Sequence, residues 1–165
     1  MSNSRKYRIL FVCSGNTCRS PMAEYALRML LEKERRGQTE VVSAGTLGLH
    51  NQPATLYAQE AARIWDLDLS RHQSQGLTEE MIAQADLIFA MTPDHHREIV
   101  KLVPQAAERT YLLKSFPDNS PNGEPVADPI GMDLDYYNEV FLEIGEFIGK
   151  HLPEIVRRID RSQDR

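Results

Sequence analysis

The stretch Ile9-Leu10-Phe11-Val12-Cys13-Ser14-Gly15-Asn16-Thr17-Cys18-Arg19-Ser20-Pro21 decides the fold. Its first four residues are an unbroken apolar run, the pattern of a strand buried on both faces. From Pro21 on, Met22, Ala23, Leu27, Leu30 and Leu31 recur at helical spacing, with Ser20 as expected N-cap and Pro21 at the first helical position. Residues 13–19 therefore form a short loop between the end of a strand and the start of a helix. Such a loop gathers unpaired backbone N–H groups at the positive end of a helix dipole and makes an anion site. Gly15 permits the tight turn, and Asn16 tolerates positive φ better than most residues.

The side chains add chemistry. A curled loop of this size can place the Cys13 sulfur at the bottom of a ring of donors. Arg19 closes the rim, where its guanidinium can hold two oxygens of a phosphate at once. The same dipole and cation favour the thiolate, the nucleophilic form of cysteine. Ser20 can donate a hydrogen bond to it. A phosphoryl group held by Ser14, Gly15, Asn16, Thr17 and Cys18 would face sulfur from below, as in-line transfer requires. A nucleotide-binding loop is excluded, because the Lys-Ser/Thr pair after a second Gly is missing. A metal site is not expected either. The chain has two Cys, and its five His (50, 72, 95, 96, 151) show no ligand spacing. No cofactor is implied.

Working outward, Glu40 to Ala44 is a second strand stopped by Gly45, so strand, helix and strand form a parallel βαβ unit. The first helix is expected from Pro21 to about Glu34. A helix over Ala54 to Trp65 follows, with Trp65 read as core. A short helix runs from Thr78 to about Ala85. Leu87-Ile88-Phe89-Ala90-Met91 is the clearest central strand. Thr92 caps a helix from Pro93 to Leu102, whose His95-His96 pair reads as an exposed face without function. Tyr111 to Leu113 is the fourth strand. Residues 115–132 hold Pro117, Pro121, Pro125 and Pro129 with two Gly and two Asn, so they form a long loop, a feature usually tied to function. Asp133 caps a last helix striped by Tyr137, Val140, Phe141, Ile144, Phe147, Ile148 and Leu152, which Pro153 is expected to kink or interrupt. Both termini, residues 1–6 and the tail from Asp160, are expected to fray. The fold class is α/β: a single doubly wound domain over residues 1–165, with a four-stranded parallel sheet and helices on both faces. Its ligand site lies at the C-terminal ends of the strands.

The chain has 165 residues, 41% of them hydrophobic and 26% charged, with a net charge of −5. That balance is ordinary for a globular domain and argues against nucleic-acid binding. Neither a signal peptide nor a membrane span is read, and two Cys in one loop fit a reducing cytoplasm. A monomer is expected.

A cysteine nucleophile needs a general acid for the leaving group, then a base for water. One carboxyl can serve both. The residues alone leave Asp118, Asp128 and Asp133 in contention, with Asp133 partly accounted for as an N-cap. Here a resemblance helps. Cys-Ser-Gly-Asn-Thr-Cys-Arg-Ser-Pro is similar to the signature of low-molecular-weight protein tyrosine phosphatases, and the likeness runs over nearly the whole chain. It implies the acid in an Asp-Pro pair before the last helix, matched by Asp128-Pro129. It implies that Ser43 braces the catalytic loop and that His72 hydrogen-bonds Asn16. It implies phosphorylated proteins as partners. Two departures bear on the substrate. Ile130 and Gly131 stand where eukaryotic members carry paired aromatics. Thr17 replaces an apolar residue and resembles the protein-arginine phosphatase branch. The reading is a phosphotyrosine and/or phosphoarginine phosphatase. A thiol-dependent arsenate reductase would need two more downstream cysteines, and a non-catalytic phosphoprotein-binding module would have no use for Asp128. Cys18 lies close enough to trap an oxidised Cys13 as a disulfide.

Overall fold

The computed structural model describes residues 5–34 and 37–164. Residues 1–4 of the expected frayed terminus lie outside them. The elements are β1 (Tyr7–Cys13), α1 (Arg19–Lys33), β2 (Thr39–Gly45), α2 (Leu56–Arg63), α3 (Glu79–Gln84), β3 (Leu87–Ala90), α4 (Pro93–Leu102), a 3-10 turn (Pro104–Arg109), β4 (Thr110–Leu112) and α5 (Leu134–Gln163). The strands form a four-stranded sheet in the order β2-β1-β3-β4, all parallel.

Strand β1 alternates between two cores because successive side chains leave a strand on opposite faces. Ile9, Phe11 and Cys13 join Leu27, Phe89, Phe141, Ile144 and Ile148 beneath α1 and α5. Leu10 and Val12 join Ile82, Ile88, Ile99 and Leu112 beneath α3 and α4. All of these are nearly or fully buried. The doubly wound architecture is as the pattern implied. Trp65 packs partly buried against the first core, over Gly145, where a Cβ would stand 2.6 Å from its ring.

Three expectations change. Helix α1 begins at Arg19 with Cys18 at the cap position, and no side chain caps it. Ser20 is therefore inside the helix, and its hydroxyl is free for the thiol. Helix α5 runs through Pro153 to Gln163 without interruption. Proline there removes one backbone bond, but Ile148 and Ile155 on either side are fully buried and hold both turns against the sheet. The tail from Asp160 is helical for the same reason, anchored by buried Ile159.

Strands β1 and β3 are neighbours although β2 separates them in sequence. The connections from their C-terminal ends lead to opposite faces, which opens a crevice there. The loop after β1 sits in it.

Candidate active site

Cys13 ends β1, paired with Gly45 of β2. The loop then folds back over the strand ends. Thr46 N–H donates to the Cys13 carbonyl at 2.9 Å and Leu47 N–H to the Ser14 carbonyl at 3.0 Å. This close approach requires glycine at 45. A Cβ there would stand 2.5 Å from the Ser14 carbonyl oxygen and 3.0 Å from the Asn16 nitrogen.

Asn16 is the pin of the loop. It adopts φ 58° and is fully buried. Its side-chain amide donates to Ser20 Oγ at 2.8 Å and to Ser43 Oγ at 2.9 Å. Its Oδ1 accepts from Gln75 N–H at 2.9 Å, and its carbonyl accepts from His72 Nε2–H at 2.7 Å. Ser43 Oγ–H donates in turn to Glu24 Oε1 at 2.6 Å, and Glu24 is paired with Arg28. Burial pushes the Glu24 carboxyl up, against the pull of Ser43 and Arg28. Every donor and acceptor of Asn16 is used, so the left-handed turn is held by packing and hydrogen bonds together.

The Cys13 sulfur lies 2.9 Å from Ser20 Oγ and accepts from Asn16 N–H at 3.3 Å. Since Ser20 Oγ already accepts from Asn16, its own proton is directed at the sulfur. Two donors thus converge on the sulfur. The N–H groups of Gly15, Thr17 and Cys18 have no acceptor among the described residues. Thr17 is buried, its Oγ1 3.4 Å from where a Cβ on Gly15 would lie. Cys18 is also a free thiol, its sulfur 3.6 Å from both Thr55 Oγ1 and Tyr137 Oη, and burial pushes it up.

Arg19 is nearly buried and reaches back over the loop. Its Nη1–H donates to the Val126 carbonyl at 3.0 Å. Nη2 lies 3.5 Å from Ser14 Oγ and 3.5 Å from Asp128 Oδ2. Asp128 arrives because Val126 N–H donates to the Met91 carbonyl at 2.8 Å, which ties the long loop to the end of β3. Its side chain is 46% exposed, and Oδ1 accepts from Ile130 N–H at 3.1 Å. Asp133 caps α5 through Tyr136 N–H at 3.0 Å. Among the described residues, no hydrogen bond or ion pair joins Asp118 to residues 13–20; its N–H donates to the Ser115 carbonyl. Of the three carboxylates in contention, Asp128 alone meets Arg19.

His95 and His96 are not an exposed face. Both are buried, on the side of α4 that carries Ile99. They stand four and three residues before Ile99 and so share its buried face. His95 reaches the site, with Nε2 2.9 Å from Ser14 Oγ. It lines a cleft of about 380 Å³ with Ser14, Arg19, Glu98, Val126 and Asp128. Among the described residues, no cluster of His, Cys, Asp and Glu could hold a metal, and no helix is long and apolar enough to cross a membrane.

Fold and site together define a phosphate-loop protein with a thiol at the base of the loop and a carboxylate over its rim. The chain belongs to the low molecular weight phosphotyrosine protein phosphatase family, which matches residues 8–163. A protein-arginine-phosphatase of Bacillus subtilis (strain 168) is 38% identical over 140 residues, 85% of this chain and 91% of that protein. The low molecular weight protein-tyrosine-phosphatase Ptp of Acinetobacter johnsonii is 35% identical over 136 residues, 82% of this chain and 89% of its own. Among solved structures, a YwlE arginine phosphatase with a phosphorylated serine replacing the active-site cysteine superposes with TM-score 0.83 at 35% identity, covering 92% of this chain and 99% of that one.

Proposed function

We propose that the protein hydrolyses phosphorylated side chains of proteins through a cysteinyl-phosphate intermediate, with phosphoarginine as the preferred substrate and phosphotyrosine the lesser one. The observation that carries the reaction type is the thiol itself. Cys13 Sγ accepts from Ser20 and from Asn16 N–H, at the base of a loop whose remaining N–H groups and Arg19 suit a phosphoryl group.

In the first half-reaction Cys13 sulfur attacks phosphorus in line. An S–P bond forms and the bond from phosphorus to the leaving group breaks. Arg19 and the loop N–H groups hold the equatorial oxygens, where charge gathers. For a phenolate leaving group, Asp128 supplies the proton. For phosphoarginine, Asp128 gives its proton to the departing nitrogen, so the product leaves as a guanidinium with which the resulting carboxylate pairs. In the second half-reaction Asp128 takes a proton from water, the oxygen attacks phosphorus, and the thiolate leaves. Inorganic phosphate is the product.

The preference for phosphoarginine rests on residues at the mouth. Thr17 places a hydroxyl in the loop beside Gly15, where an apolar side chain would offer no polar contact. Ile130 and Gly131 offer no aromatic sandwich for a phenyl ring. Asp128 is half-exposed over the rim, available to a cation, and Glu98 lines the same cleft. Steady-state rates on matched phosphoarginine and phosphotyrosine peptides test this. Thr17→Ile is expected to shift the ratio of the two kcat/KM values about tenfold towards phosphotyrosine. An unchanged ratio would remove Thr17 as the selector. A colorimetric assay with an aryl phosphate separates the enzyme from a binding module, which would hold the anion without turning it over.

A further inference from the structure

Ser14 is touched from outside the loop by an imidazole ring. Its Oγ receives the Arg19 Nη2 at 3.5 Å and meets His95 Nε2 at 2.9 Å. His95 is 4% exposed. Its other nitrogen, Nδ1, lies 3.1 Å from Thr92 Oγ1. That same oxygen accepts the backbone N–H of His95 at 3.3 Å, as the cap of α4.

The pattern of protons along this chain follows from what each atom is. Thr92 Oγ1 accepts from a backbone N–H and has one proton left, which can point at Nδ1. A ring that accepts at Nδ1 carries its hydrogen on Nε2. Nε2–H then donates to Ser14 Oγ. Arg19 can only donate to the same oxygen. With both neighbours donating, the Ser14 hydroxyl proton has nowhere to go but the cleft over the loop. In the opposite tautomer Nδ1–H would donate to Thr92, and Nε2 would take the proton of Ser14 for itself. The Ser14 hydroxyl would then turn away from an anion.

We propose that His95 is a positioning residue: with hydrogen on Nε2, it fixes Ser14 as a hydrogen-bond donor to a phosphoryl oxygen and holds the Ser14 oxygen as a rest for Arg19. The three bonds Thr92 to His95, His95 to Ser14 and Ser14 to phosphate then all point one way, from the cap of α4 into the loop. The ring stays neutral in that role. Its burial and the facing Arg19 guanidinium push it down to about 4, against the opposing pull of Asp128. The inference rests on the loop being the phosphate site.

The test is binding of inorganic phosphate, read as competitive inhibition of aryl-phosphate turnover, in two variants of one residue. His95→Asn keeps a polar atom near Nδ1 for Thr92 and cannot reach Ser14. His95→Gln places its amide nitrogen near Nε2 and can. Loss of one charge-assisted contact predicts about tenfold weaker phosphate binding for the Asn variant, with the Gln variant within about threefold of wild type. Ser14→Ala is expected to cost about tenfold by itself, and His95→Asn to add less than about twofold on top of it. Asn and Gln variants that weaken phosphate equally would overturn the proposal, as would effects of the two sites that multiply. Ser14→Ala lies outside the core, so it gives an independent reading should His95→Asn not fold: unaltered phosphate binding in it would also overturn the proposal. A wild-type protein that neither binds phosphate nor turns over an aryl phosphate would instead overturn the reading of the loop.

Discussion

The loop of residues 13–20 and the arm of residues 115–132 meet over one thiol and are held in opposite ways. The loop is buried and over-determined. Asn16 alone spends bonds on Ser20, Ser43, Gln75 and His72, and Gly45 leaves no space behind it. The arm is a mostly exposed excursion, tied back by the Asn119 amide to the Thr110 carbonyl at 2.9 Å and by Val126 to the end of β3. Beyond Val126 it carries Asp128, Ile130, Gly131 and Met132 into solvent. The difference separates two jobs. Groups that fix the reaction type sit where the fold cannot yield. Groups that meet the rest of the substrate sit where sequence can change at little cost to folding.

That contrast can be broken by substitution on each side. Cys13→Ser should remove turnover, by roughly 10⁴-fold or more, while inorganic phosphate still binds; residual hydrolysis of an aryl phosphate at the wild-type pH optimum would dethrone the sulfur. Asp128→Asn should lower kcat about 10²-fold and leave the melting temperature where it was. A melting temperature lowered by several degrees would show that the arm is structural and the contrast wrong. Asn16→Ala should do both kinds of damage, lowering kcat about tenfold and stability by about 2 kcal/mol, because it orphans buried partners. Denaturant titration beside steady-state kinetics reads the two effects in one sample, and a variant losing activity alone would move Asn16 to the arm's side of the comparison.

A smaller effect concerns acid. Burial pushes His95 down to about 4 from an ordinary 6.5, and it also pushes His96 and His151 down. Between the unfolded and folded values the unfolded chain binds more protons, so stability should fall as pH drops from about 6.5 towards 4. Above that range these rings are neutral in both states and contribute no slope. Glu24, pushed up by burial, works in the opposite sense at the lower end. Thermal melts across this range should show a shallower slope in His95→Gln, although Arg19 and Asp128 still face that position. Last, mild peroxide should produce a Cys13–Cys18 link visible by mass spectrometry, slowly, since the Cys18 thiol is buried and pushed up. Its absence would leave Cys18 a packing residue beside Thr55 and Tyr137.

What was legible in the sequence divides along the same line. The apolar runs at 9–12 and 87–91 announced central strands because burial on both faces leaves an unmistakable pattern. The loop was legible because strand end, glycine, arginine and helix start all agree locally. Asp128 needed more than local pattern: three aspartates in or beside one irregular segment differ by their distance from Arg19, which no spacing rule supplies. The cap was placed two positions late, at Ser20 instead of Cys18, since a serine before proline looks like a cap whether or not the helix has already begun. His95 was missed because a histidine at a core-facing position offers the same letter as one facing water; only its step to Ile99 distinguished them. Pro153 misled because helix propensity is a local cost, and the apolar stripe on both sides outweighs it.

The glycine at the end of β2 has a consequence for how this sequence can vary. Any side chain at position 45 would collide with the carbonyl oxygen of Ser14 at 2.5 Å, so even alanine must push the loop off the strand. The residue touches no substrate and holds no charge, yet a library randomised at 45 and selected for turnover should return a single letter. The neighbouring exposed position, Leu47, should return many.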